Sequence, residues 1–179
     1  LEELPTNKIK GFHKRFTEAL PTIYDHRCSI GKAGGFFQRV EEGTWMGHVV
    51  EHTALELQTL AGMDTGFGRT RETGDVGIYH VVYSYIVSEV GKRAGELSVE
   101  LCEKLIRGDK YDMDAIVQEL KELRERYKMG PSTASIVEEA VSRGIPFTRL
   151  NRSSLVQLGY GTNQKRIRAT ITGETSSLA

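Results

Sequence analysis

Gly47-His48-Val49-Val50-Glu51-His52-Thr53 sets two histidines four residues apart, with a glutamate just before the second. At 3.6 residues per turn the two imidazoles project within about 40° of each other, and Glu51 leans about 60° to the other side. One helix can thus offer two zinc ligands with a carboxylate beside them. The flanks support a helix. Thr44 is a good N-cap, Gly62 follows Ala61 as a C-cap residue, and no proline lies between. Met46, Val49, Val50, Leu57 and Leu60 form one apolar stripe, with His48, His52 and Thr59 beside it. A histidine that merely fills a core would sit within the stripe.

The order H-x-x-E-H is that of inverzincins, the reverse of the zincin H-E-x-x-H. In both, the glutamate takes a proton from a metal-activated water that attacks a carbonyl. The chemistry indicated is amide hydrolysis.

With 179 residues the chain can bury one sizeable core, or one core and part of another. Its 24 basic and 24 acidic side chains cancel, so no global field draws it to nucleic acid or to an anionic membrane. Apolar runs fall short of the ~20 residues of a membrane span and no signal-peptide pattern opens the chain, which predicts a cytoplasmic protein. Cys28 and Cys102 make no C-x-x-C pair, so free thiols are expected. Cys28 has no base near it in sequence and is set aside as ligand or nucleophile.

Along the chain, residues 1–11 read as a loop and 13–20 as a short helix ended by Pro21. Residues 22–28 read as a strand and 31–35 as a glycine-rich turn without a phosphate-loop pattern. Residues 62–74 form a loop with basic side chains, and 78–87 a well-buried strand. Apolar residues at spacings of three and four predict helices over 88–106 and 113–128. Met129-Gly130-Pro131-Ser132 is a stop signal and a fresh N-cap, and a domain boundary is placed there. A helix through Ala140 then leads to strands at 146–150 and 154–160. The stretch from Gly161 to Ala179 is basic, rich in threonine and serine, and shows no partner for its apolar face. The fold class expected is α/β of the α+β kind, with helices packed on a small sheet.

Longer strings carry a resemblance. Tyr24-Asp25-His26-Arg27-Cys28-Ser29, Glu42 through His52, Gly66-Phe67-Gly68-Arg69-Thr70-Arg71-Glu72-Thr73, Gly130-Pro131-Ser132-Thr133 through Gly144-Ile145-Pro146, Arg149-Leu150-Asn151 and Leu155 through Arg168 resemble cyanophycin synthetase over nearly the whole chain. The resemblance implies residues 1–130 as the family's N-terminal domain and 131–179 as the incomplete beginning of an ATP-grasp domain. It implies a longer ligase, using ATP and magnesium, that adds aspartate to a polyaspartate backbone and joins arginine to each β-carboxyl. The N-terminal domain would hold the polymer, and in some members cut it into primers with a metal. The family also suggests a homotetramer.

Zinc hydrolysis needs a third protein ligand and an open position. Inverzincins often take that ligand from a later helix, which makes Glu89 the first choice, with Glu72 and then Glu56 behind it. Arg69 is the candidate for a substrate carboxylate or developing oxyanion, since a guanidinium offers a bidentate fork to either. Glu41 and Glu42 could meet arginine side chains of the polymer, and Gln164, Lys165 and Arg166 the nucleotide or polymer. His26 and His80 are assigned structural roles. Two functions stay open: a polymer-binding domain that cuts primers with Glu51, His48 and His52, or a non-catalytic tethering or assembly domain.

Overall fold

The computed structural model describes residues 4–75, 77–169 and 171–173, so the end of the basic tail lies outside it. The chain divides into two compact units, residues 1–125 and 126–179.

The first unit is built around α3 (Met46–Leu60). Before it come α1 (Phe12–Ala19) and α2 (Gly35–Glu42), joined by 3-10 turns at Pro21–Asp25 and Cys28–Ile30. After it come the hairpin β1 (Gly68–Glu72) and β2 (Tyr79–Tyr83), then α4 (Ser88–Arg107) and α5 (Met113–Tyr127), whose last turn crosses the division. The expectation of helices packed on a small sheet holds. The reading of residues 22–28 as a strand does not: Pro21 sets the first turn of a 3-10 helix over Pro21–Asp25. The loop expected over 62–74 contains β1, paired in antiparallel register from Gly68↔Tyr83 to Glu72↔Tyr79. Nor is β2 well buried, since its burial alternates and Val82 is 56% exposed in a two-stranded sheet.

α3 is packed on several sides. α4 covers one face, the hairpin a second and the Pro21–Asp25 turn a third. Twelve of its 15 residues are buried, Glu51, His52, Thr53, Glu56 and Gln58 among them, so the single apolar stripe read from sequence is only part of its buried surface. Thr44 is not the N-cap. The helix starts one residue later, after extended Trp45, which frees the Thr44 hydroxyl for the site. Gly47 lets the hairpin sit directly on α3: a Cβ there would lie 2.8 Å from Tyr79 Cγ and 3.1 Å from Thr70 Cγ2. Phe12, Phe16 and Phe36 interlock α1 with α2, with centroids 5.6 and 5.9 Å apart.

α4 buries Val90, Ala94, Leu97, Leu101 and Leu105, the period seen in sequence. Arg15 donates to the carbonyls of Leu105 and Ile106 at the end of α4, satisfying groups the helix leaves open. Leu120 anchors α5, while Arg93 bonds Glu119 at 2.6 Å.

In the second unit Gly130 caps α6 (Pro131–Ser142), with Pro131 at the first helical position. A four-stranded antiparallel sheet follows in the order β3 (Phe147–Arg149), β4 (Leu155–Leu158), β5 (Lys165–Arg168) and β6 (Ile171–Thr172). The basic stretch after Gly161 therefore does find a partner. Ile167 pairs with Val156, and both are buried with Val137.

Candidate metal site on helix α3

The ring of His48 is held from both ends. Thr44 Oγ1 lies 2.9 Å from its Nδ1, and Cys28 Sγ lies 3.4 Å from its Nε2. His52, one turn on, stacks its ring on Phe36 with centroids 3.7 Å apart and planes 18° from parallel. Cys28 Sγ and one ring nitrogen each of His48 and His52 fall within 4.8 Å of one another. Cys28 reaches this point from a left-handed backbone conformation, φ 51°, sparsely populated for a residue with a side chain.

The donor set suits zinc. Two imidazoles and a thiolate are common zinc ligands, and three protein ligands leave a fourth position open. With Zn–S and Zn–N bonds of about 2.3 and 2.05 Å, tetrahedral ligands stand about 3.5 Å apart, close to the Cys28–His48 separation of 3.4 Å. Burial, aided by the charge of Arg39, lowers the pKa of His48 to about 4. Burial, with His48 and His26 adding to it, lowers that of His52 to about 2. Both rings are therefore neutral near pH 7, the form that binds metal.

Glu51 is 5% exposed and accepts a hydrogen bond from Thr70 Oγ1 at 2.6 Å on β1. Gly68 makes room for it, because a Cβ there would stand 2.5 Å from Glu51 Oε1. Burial raises the Glu51 pKa, against the hydrogen bond from Thr70 and the charges of Arg69 and Arg71. These groups line one open cleft of about 990 Å³, with Asp25, His26, Trp45, Asp64 and Tyr79 also on its wall.

The structure thus brings His48, Glu51, His52 and Arg69 to one cleft. Glu72 lines it from the end of β1. Glu89 opens α4, as expected, but is not among the lining residues; α4 meets α3 through its apolar face. The residue beside the histidines is Cys28, which the sequence reading set aside. It comes from 20 positions upstream, at the start of the short 3-10 turn Cys28–Ile30, where no helical spacing ties it to α3. Glu56 is buried, bonded to the Thr22 hydroxyl and to His26 Nε2. His26 also contacts the site, its Nδ1 2.9 Å from Nδ1 of His52. His80 is exposed in β2, opposite Arg71.

Fold and cleft together define a helix-borne donor site able to hold a transition metal next to a buried carboxylate. The chain belongs to the family of the cyanophycin synthase-like N-terminal domain, whose model matches residues 1–107. It is 49% identical over 179 residues to the cyanophycin synthetase of Geminocystis herdmanii, covering 98% of this chain and 20% of that protein. It is 50% identical to that of Trichormus variabilis, covering 99% of this chain and 20% of the relative. With that of Crocosphaera subtropica the identity is 46%, over 100% of this chain and 21% of the relative. The chain spans about a fifth of the length of these curated relatives. Among the described residues no helix is long and apolar enough to cross a membrane.

Proposed function

We propose that this chain is the N-terminal part of a cyanophycin synthetase, an ATP-dependent ligase that polymerises aspartate and arginine. We further propose that its α3 cleft binds the polymer and hydrolyses it into primers with zinc. Family membership supports the first part. The second is carried by one observation, the convergence of Cys28, His48 and His52 next to Glu51 in an open cleft.

Zinc bound by Cys28, His48 and His52 would supply a Lewis acid for water and for the scissile amide. Glu51 receives the proton of the attacking water on its carboxylate, and burial moves its pKa toward the range a general base needs. Arg69, exposed at the cleft, offers its guanidinium to a substrate carboxylate or to the developing oxyanion. Asp25, Asp64 and Glu72 on the same wall are suited to the arginine side chains of the polymer.

In this reading residues 131–179 begin an ATP-grasp domain, and ATP, magnesium, aspartate and arginine are bound by the whole enzyme, a cytoplasmic homotetramer without nucleic-acid or membrane partners. Zinc analysis of the purified chain, combined with chain-length analysis of cyanophycin incubated with it, tests the proposal. Zinc-dependent shortening is expected. Intact polymer in the presence of stoichiometric zinc would leave the domain a tether.

A further inference from the structure

A second line of polar groups runs along the wall of the same cleft, from Thr22 through Glu56 and His26 to His52. Glu56 is 2% exposed; its Oε1 accepts from the Thr22 hydroxyl, and its Oε2 lies 2.9 Å from His26 Nε2. The other nitrogen of that ring, Nδ1, lies 2.9 Å from Nδ1 of His52. Two ring nitrogens at this distance share one proton, so one donates and the other accepts. A carboxylate can only accept, and a neutral imidazole has one donor and one acceptor. The proton of a neutral His26 is then on Nε2, its Nδ1 has a lone pair, and His52 must donate from Nδ1. The lone pair left on His52 is that of Nε2. His48 has no such constraint, because the Thr44 hydroxyl on its Nδ1 can donate or accept equally well.

We infer that Glu56 and His26 are positioning residues, a carboxylate–imidazole relay that fixes His52 as its Nδ1–H tautomer and so keeps Nε2 free as a metal donor. Metal-binding histidines commonly give their second N–H to a carboxylate directly; here one more imidazole is interposed. Phe36, stacked on His52, holds the ring plane while the relay sets the proton. The inference rests on the zinc reading for its use, but not for its geometry.

Nitrogen-15 NMR of the histidine-labelled, metal-free chain near neutral pH reads the tautomer directly. Nδ1–H on His52 and Nε2–H on His26 are expected. A proton on Nε2 of His52 in the parent chain would overturn the relay whatever the variants do. Glu56→Leu removes the acceptor at similar size, and is expected to give His52 a mixture of tautomers and to weaken zinc binding by about 10–100-fold in chelator competition. Glu56→Gln, which can still turn an oxygen toward His26, is expected to recover most of that affinity. A folded Glu56→Leu chain with the parent's tautomer and zinc affinity would also overturn it. Failure of the parent to bind zinc would remove the metal reading alone, since the tautomer is measured without metal.

Discussion

Helix α3 and the four-stranded sheet of the second unit bury their residues in opposite ways. α3 encloses Glu51, His52, Thr53, Glu56 and Gln58. The sheet buries Val156 and Ile167 and leaves Lys165, Arg166 and Arg168 of β5 exposed. A buried polar group costs free energy unless it is bonded, and of the α3 groups Glu51 and Glu56 accept hydrogen bonds from the hairpin and the Pro21–Asp25 turn, while His52 shares one with His26. The contrast teaches that the first unit spends stability on fixed polar geometry, whereas the second follows the ordinary rule of apolar in and charged out.

The sharpest break in that contrast is Glu51→Gln. The amide keeps the shape and cannot take a proton, so zinc-dependent cleavage of cyanophycin should fall by at least about 100-fold while metal content stays at the parent level. A rate unchanged in this variant would remove Glu51 as the base.

Truncating the two cores comes next. Leu101→Ala, in the apolar face that α4 buries, should cost about 2–5 kcal/mol. Val156→Ala should cost about 0.5–3 kcal/mol and leave zinc stoichiometry alone. Denaturant melts followed with zinc analysis check both; loss of zinc in a folded Val156→Ala chain would show that the units do not act separately.

The two cysteines sharpen the comparison within the first unit. Burial pushes the Cys102 thiol up to about 12, whereas Cys28 is partly exposed beside His48. Cys28→Ser is expected to weaken zinc by about an order of magnitude or more, and Cys102→Ser to leave it nearly unchanged. Thiol labelling of the folded chain should modify Cys28 and spare Cys102, with zinc protecting Cys28. Equal zinc affinity in the parent and the Cys28 variant would take Cys28 out of the donor set.

The last comparison concerns pH dependence. His48 and His52 have folded pKa values below the 6.5 of the free side chain. Above pH 6.5 neither state of the chain takes up these protons. Below it the unfolded chain does and the folded chain does not, so the metal-free protein loses stability as pH falls, at most about 1.4 kcal/mol per pH unit for each histidine. For His48 the loss levels off near pH 4. Thermal melts between pH 7 and 5 check the sign; a metal-free chain more stable at pH 5 would contradict burial of neutral rings.

Local chemistry sufficed for several elements. Periodicity set α4 and α5 within a residue of their observed ends, because an amphipathic helix records its buried face in its own spacing. The pair His48 and His52 and the nearby Glu51 were equally legible, being one helical turn apart. The sequence alone could not show that Cys28 stands 3.4 Å from His48, that Thr44 leaves the cap to bond the ring, or that Phe36 and His26 flank His52 with Glu56 bonded to His26. It also proposed Glu89, which the fold keeps out of the cleft lining. Spacing along one helix is fixed by the covalent chain and its hydrogen bonds, whereas partners 16 to 30 residues apart are set by how α2, the 3-10 turns and the hairpin pack on α3, and that packing left no periodic trace in the residues it brings together.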